Sequence, residues 1–448
     1  MLGISTKLES FVPVRNIQIL VVVMLFCLAC YVQAERLKYA GKIGTAMQLI
    51  QENYVEETDP DELYHAAMEG IVSKLDRFSD FIPPVDYETF QSGIEQEFGG
   101  VGILIEGPPV ADELTIVAPI PGTPAFEAGL QPGDVITKVA GESTEGLQVG
   151  DASALMRGPV GESVSLTIRR MGVPELLDME IERADIQVDS VYGDRIRKDS
   201  SWDFFLREDP RIAYIRVTQF GEKTVGEFQK AIDAIQPKAK AVILDLRYNP
   251  GGILSSAVEM CDMLVDEGVI VSTKGRKDTF AAEIDARSGT KLPADLPMVI
   301  LVNGQSASAS EIMAGCLQDL GRAKIAGSRS YGKGTVQQVF DLENGTTALK
   351  FTTARFYRPS GKNIHRTDSM EAEDEWGITP EADLTRPMSE LQDIYLNRRW
   401  RANGDPRITT STDQAPAPEC AGDPQLKQVL EYLRRELGEP AEDKDAGE

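Results

Sequence analysis

Two short segments of this chain carry residue types that could do chemistry together. One is Ser306-Ala307-Ser308-Ala309-Ser310-Glu311, which follows an apolar run. The other is Tyr331-Gly332-Lys333-Gly334-Thr335-Val336-Gln337. A serine in a small-residue turn after a strand suits a nucleophile, but a hydroxyl needs a base to take its proton. The chain has two histidines, His65 and His365, and no short motif surrounds either. Lysine is therefore the better candidate base, and it serves only when burial makes it neutral. Lys333 between Gly332 and Gly334 can be approached closely by backbone on both sides. Gln337, two strand periods on, would share its face and could aim the amine without adding charge. An oxyanion needs backbone N–H donors. Ala309, at a helix N-terminus after Ser308, offers one. The Gly251-Gly252 turn, after a buried strand, offers others.

Plainer readings stay open on these residues alone. Ser308 and Glu311 fit a helix-capping box, and Gly-Lys-Gly fits an ordinary turn. Gly327 to Lys333 also fits G-x-x-x-x-G-K. However, Gly334 stands where a P-loop needs Ser or Thr, and Thr335 to Phe340 reads as strand rather than helix.

These segments need a frame, and the pattern from about residue 210 supplies one. Ile212 to Val217 reads as a strand. Ala241 to Leu246 and Met298 to Val302 are continuous apolar runs, as expected of strands buried on both faces. Helices are expected from the Asn249-Pro250-Gly251-Gly252 break to about Asp266, and after Ser308. Lys324 to Ala326 and Thr335 to Phe340 are further strands. Repeated strand–turn–helix units imply an α/β core. Residues 97 to 184 are richer in Gly and Pro and read as a small β-rich domain, with strands near Val101 to Ile105, Leu114 to Val117, Val135 to Val139 and Val164 to Ile168. Residues 40 to 95 read as helical. Their stripes Ile43, Met47, Ile50, Tyr54 and Leu63, Ala67, Ile71, Leu75 are expected to pack in a core. Past 405 the chain is rich in Pro, Ala and acids. A short helix over Pro424 to Leu437 interrupts it, and a disordered end follows.

The composition bounds partners. Among 448 residues acids exceed bases by 25, a surface that disfavours nucleic acid. Ile17 to Ala34 is almost wholly apolar, with Lys7 and Arg15 before it. That predicts a signal peptide or membrane anchor and an extracytoplasmic location, with Val32-Gln33-Ala34 as a cleavage site if it is removed. Of the cysteines beyond it, Cys261, Cys316 and Cys420 make neither a disulfide framework nor a zinc pattern. Cys261 and Cys316 are expected as packing residues. No cofactor and no metal are expected.

The β-rich domain carries Pro124-Ala125-Phe126-Glu127-Ala128-Gly129-Leu130-Gln131-Pro132-Gly133-Asp134-Val135-Ile136, which resembles the helix–turn–strand signature of a PDZ domain. Before it, Glu97 to Ile103 is a glycine turn whose amides could receive a carboxylate while a peptide adds to the sheet edge. Together with the segments above, Leu75-Asp76-Arg77-Phe78-Ser79, Asp245 to Gly252 and Gly377-Ile378-Thr379-Pro380, the chain resembles the carboxyl-terminal processing proteases, a serine–lysine peptidase family. The resemblance covers roughly residues 40 to 385. It implies a crotonase-like α/β spiral core with an inserted PDZ domain and N-terminal helices. The expected organisation is signal or anchor 1–34, helical region 35–95, PDZ domain 96–184, protease core 185–390 and a partly disordered extension 391–448.

The resemblance further implies Ser308 as nucleophile, Lys333 as base and Gln337 as its orienting partner, with Gly251, Gly252 and Ala309 as oxyanion donors. Gly99, Gly100, Val101, Gly102 and Ile103 become the carboxylate-reading loop, and Arg157 a residue coupling the PDZ domain to the active site. The expected activity is ATP-independent endoproteolysis near apolar C-termini of protein or peptide substrates. An activating adaptor and a homo-oligomer remain open. So do two other functions, a non-catalytic PDZ adaptor and a latent protease.

Overall fold

The structure is a computed structural model. It describes residues 14–108, 111–276, 281–371, 373–405 and 422–438. Lys7, Cys420 and the expected disordered end lie outside the described residues. The chain divides into two compact units. One comprises Met1–Pro83 with Asp341–Phe351, the other Pro84–Phe340 with Thr352–Glu448.

In the first unit a single helix runs Val14–Asn53, and Asn16–Gln33 within it is apolar enough to cross a membrane. A second helix, Pro60–Val72, starts as its sequence dictates: the Asp59 carboxylate accepts from the Asp61 amide, and Pro60 fills the first turn. The strand Asp80–Ile82 pairs antiparallel with 348–350. The expected core role of the two helical stripes does not hold. Ile43, Ile50, Tyr54, Ile71 and Leu75 are exposed, while Val72, Phe81, Ile82 and Ala348 are buried. Periodicity marks a face, and these helices have too few neighbours within the unit to cover theirs.

The second unit contains the α/β core. Its sheet runs in the order Val191–Tyr192, Ile212–Val217, Ala241–Asp245, Met298–Val302, Lys324–Gly327, and all but the first pair are parallel. Every residue of Ala241–Asp245 and Met298–Val302 is buried, as their continuous apolar runs require. One face carries the helices Thr224–Ile235, Leu254–Asp262 and Ala309–Asp319, which bring Phe228, Met260, Cys261, Met313 and Cys316 into the core. Both cysteines are fully buried packing residues. The other face is covered by Leu426, Val429, Leu430 and Leu433 of the helix Pro424–Glu436. That helix, expected inside a loosely structured extension, is a core element.

The β-rich domain has its own core around Ile116, Leu130, Ile136, Leu166 and Ile168. Its strands run in the order Ile103–Glu106, Thr115–Pro119, Val135–Val139, Ser163–Arg169, Leu177–Glu182, and the helix Val149–Met156 packs on them. Glu97–Gly100, expected as part of a turn, is a strand paired with Ala184–Gln187. These two strands form the stalk by which the domain leaves and rejoins the core.

Candidate active site

Three serines alternate before the helix Ala309–Asp319, and their surroundings separate them. Ser306 is buried, and its hydroxyl donates to the Leu246 carbonyl (2.8 Å). Ser310 is buried, and its hydroxyl donates to the Asn249 carbonyl (2.9 Å). Both fasten the serine loop to the glycine turn. Ser308, between them, is half-buried and sits at φ 55°, ψ −115°. That conformation is costly for a residue with a Cβ, and it marks sharp turns that lift a side chain out of the backbone path.

The glycine turn lies directly against this serine. A Cβ at Gly251 would stand 2.7 Å from Ser308 Cβ and 3.0 Å from the Ala309 nitrogen, so only glycine permits the approach. The Gly251 amide, expected as an oxyanion donor, instead donates to the Asn249 side chain (2.8 Å) within the turn. Gly251 therefore supplies space rather than a hydrogen bond. The Gly252 and Ala309 amides meet no backbone carbonyl among the described residues. Phe220 holds Gly252 in place: its N–H donates to the Gly251 carbonyl (3.0 Å), and its own carbonyl accepts from Ile253 (2.7 Å).

Lys333 is brought to the serine by a residue that the sequence presented only as a helix cap. The Glu311 carboxylate is fully buried. Its Oε2 accepts from the Ser308 amide (2.9 Å) and the Lys333 amide (2.8 Å). Those two nitrogens therefore lie within the sum of the two distances of each other. Its Oε1 accepts from the Gly332 amide (2.7 Å) and the Ser330 hydroxyl. Burial pushes the Glu311 carboxyl above the ordinary carboxylate range, opposed by these four donors. Ser330 in turn accepts from the Ile378 amide (2.6 Å), so the Gly377 to Pro380 motif supports the same carboxylate. The glycines beside Lys333 are required by close neighbours. A Cβ at Gly332 would meet Arg366 and the Trp376 ring, and one at Gly334 would meet the His365 backbone at 2.6 Å.

Gln337 lies in the strand Thr335–Leu342, which begins beyond Lys333. Its amide nitrogen donates to Thr335 (3.0 Å) and Thr352 (2.9 Å) hydroxyls. This anchors the donor end of the amide.

The carboxylate-loop residues gather elsewhere, in the β-rich domain. Gly100, Val101, Gly102, Ile103 and Arg157 line a groove of about 240 Å³ with Phe98, Leu104, Ile120, Ser153 and Met156. The Val101 and Gly102 carbonyls accept from the Ala125 and Ile120 amides (both 2.9 Å) inside the domain. A trans peptide points the next N–H the opposite way, so the Gly102 and Ile103 amides turn outward. Ile103–Glu106 is an edge strand, open to an added peptide strand. Gly99 does not line the groove. A Cβ there would meet the Gly158 carbonyl at 2.3 Å, so it serves close packing in the stalk. Arg157 stacks on the Phe98 ring, 4.5 Å from its centroid, at the groove wall.

Comparison with known proteins identifies the family. Residues 211–384 match peptidase family S41, and residues 115–170 match the PDZ domain. A carboxy-terminal-processing protease of Bartonella bacilliformis is 37% identical over 364 residues, 80% of this chain and 78% of that one. The carboxy-terminal processing protease CtpA of Bacillus subtilis is 36% identical over 331 residues, 72% of this chain and 66% of that one. A probable CtpA-like serine protease of Staphylococcus aureus is 32% identical over 82% of this chain and 68% of its own. Among solved structures, a photosystem II D1 C-terminal processing protease aligns with TM-score 0.43 and 24% identity, covering 82% of this chain and 97% of that one. This chain holds both the S41 peptidase match and the PDZ match, and its relatives over most of its length are carboxy-terminal-processing proteases, so the chain belongs to peptidase family S41, among the carboxy-terminal-processing serine proteases.

Proposed function

We propose that this chain is an exported or membrane-anchored, ATP-independent endopeptidase that cleaves proteins near apolar C-termini through a Ser308/Lys333 acyl-enzyme. One observation carries the reading: a single buried carboxylate, Glu311, fastens the Ser308 and Lys333 backbones together, while Ser306 and Ser310 are committed to structure. Neutral Lys333 takes the Ser308 proton as Oγ attacks the scissile carbonyl. The Gly252 and Ala309 amides hold the oxyanion. Lys333 returns the proton to the leaving amine, giving the acyl-enzyme. Water then attacks, Lys333 takes its proton, and Ser308 leaves as the hydroxyl. Gln337 orients the lysine. The substrate tail adds to Ile103–Glu106, its carboxylate on the Gly102 and Ile103 amides and its apolar end between Leu104, Ile120 and Met156. The apolar stretch of the first helix supports an extracytoplasmic site of action.

The test is digestion of an unfolded protein with an apolar C-terminus, with a chelator present. Wild type should cleave it. Ser308→Ala and Lys333→Ala should each abolish turnover with the fold unchanged by circular dichroism. Full activity in either variant refutes the assignment.

Gating by the PDZ domain is a second reading, and the stalk favours it. The buried Gln96 side chain accepts from the Lys223 amide (3.0 Å), and its backbone carbonyl accepts from Val188 (3.1 Å). One limb of the stalk thereby meets the turn that follows Phe220, the residue paired with the glycine turn, and the other limb is bonded to the first. Arg157, in the groove wall, couples tail binding to that stalk. Peptide binding should then alter hydrogen exchange at 94–97 and 220–224, and unchanged exchange there would count against gating.

A further inference from the structure

The glycine turn is gripped from behind by residues far along the chain. The guanidinium of Arg247, two residues past the buried strand, is fully buried between two carboxylates. Its Nε and Nη2 donate to Asp245 (2.9 and 2.6 Å), and its Nη1 and Nη2 donate to Asp423 (2.9 and 2.6 Å). Nη1 also donates to Gln425 Oε1 (3.0 Å). Asp423 is the N-cap of the helix Pro424–Glu436, accepting from the Gln425 and Leu426 amides (3.1 and 2.9 Å). Beside Arg247, the Tyr248 hydroxyl donates to Asp393 of the helix Glu390–Asn403.

We propose that Asp423 is a positioning residue for the reaction, setting the glycine turn and the serine loop through the Arg247 guanidinium. The inference rests on reading Gly252 and Ser308 as parts of the active site. The path is short and rigid. Arg247 is flanked by Leu246, whose carbonyl holds the Ser306 hydroxyl, and lies two residues before Asn249, whose carbonyl holds the Ala307 amide (3.0 Å) and the Ser310 hydroxyl. A shift of the Arg247 backbone therefore moves the carbonyls that fix the serine loop, and with them the turn carrying Gly252. Burial pushes the Asp423 carboxyl up, but the charge and hydrogen bonds of Arg247 outweigh that and hold it below the ordinary carboxylate range. It is thus a charged partner at neutral pH, and removing one partner of a buried ion pair is strongly felt.

The experiment uses the full chain in detergent. kcat and KM are measured on an unfolded protein with an apolar C-terminus, alongside the rate of Ser308 labelling by a fluorophosphonate. Wild type against Ser308→Ala first checks the active-site reading on its own. Asp423→Asn should then lower kcat and the labelling rate about ten- to hundredfold, as small displacements of reacting groups do, with KM nearly unchanged. Leu433→Ala perturbs the same helix at its far end, and should keep kcat within about twofold at a temperature where it is folded. The proposal is overturned if Asp423→Asn keeps wild-type kcat, or if Leu433→Ala loses kcat in parallel. Should Asp423→Asn fail to fold, Gln425→Met, which removes one acceptor of Arg247, must lower kcat without raising KM; an unchanged kcat there overturns it as well. A wild type that neither cleaves nor labels refutes the active-site reading and this proposal with it.

Discussion

Replacing Glu311 by glutamine tests whether one carboxylate assembles the site. The side chain keeps its volume, but one of its oxygens becomes an NH2. If nitrogen replaced Oε2 it would face the Ser308 and Lys333 amides, which can only donate. The better choice is the Oε1 side, where the Ser330 hydroxyl can rotate and only the Gly332 amide loses its acceptor. One orphaned buried amide costs about 1–3 kcal/mol, and the two remaining bonds fall from charge-assisted to neutral strength, about 1 kcal/mol each. Relief from burying a charge offsets part of this, since burial is what raises the Glu311 carboxyl. A net loss of about 2–4 kcal/mol is expected in a urea melt. A Lys333 loop shifted by a fraction of an ångström should lower kcat about a hundredfold.

The pH dependence has a defined sign. A carboxyl with a raised folded pKa contributes stability that is full below its unfolded value and declines as pH rises through the folded value. The uncharged Glu311→Gln variant lacks that decline, so the stability gap to wild type should narrow from pH 4 upward while the activity gap persists. Glu311→Asp keeps the charge but withdraws it by one methylene, and should also lose activity. A Glu311→Gln protein with wild-type kcat and an unshifted melt would refute the reasoning.

Gly251→Ala should fold yet lose at least about a hundredfold in kcat, because its methyl occupies the space of Ser308 Cβ; a variant that labels Ser308 at the wild-type rate would contradict this. Ser153→Trp should fill the groove and raise the dissociation constant of an apolar-tailed peptide about tenfold or more, read by fluorescence anisotropy, with unchanged binding placing the tail elsewhere. Burial pushes Tyr192 up to about 12, and Tyr214 and Tyr248 are also raised, chiefly by burial. An alkaline titration followed by tyrosine absorbance should therefore leave these three protonated at pH 11. Their contribution to stability is complete below the ordinary value of 10 and is lost as pH climbs past it; full ionisation at pH 11 in the folded protein would count against that packing.

How legible each part was depends on how far its partners lie along the chain. The strands Ala241–Asp245 and Met298–Val302 were plain, because burial on both faces leaves an unbroken apolar run. The helix start at Asp59-Pro60 was equally plain, since capping is local. The stripes of the first unit leave Ile43, Ile50, Tyr54, Ile71 and Leu75 exposed, because a period of 3.6 marks a face without saying what covers it. Glu311 was visible as a cap. Its hold on Gly332 and Lys333 depends on a loop that comes alongside only in the fold. The Gly251 amide could not be assigned from sequence, because its direction depends on which way the Asn249 side chain turns. Leu426, Val429, Leu430 and Leu433 did carry an amphipathic signal, masked by the polar, Pro-rich segment before them.

The helix at Pro424–Glu436 also has a consequence for timing. Ribosomes make it after Ser308, Lys333 and Gln337, so a growing chain holds every expected reacting group before it holds Asp423. During that interval one face of the central sheet lacks Leu426, Val429, Leu430 and Leu433, and Arg247 lacks its second carboxylate. A domain folds as a unit once its parts are present. The scaffold behind the glycine turn would thus be completed only after the reacting residues have been made, so a chain that has reached Gln337 still leaves one sheet face and the Arg247 guanidinium uncovered.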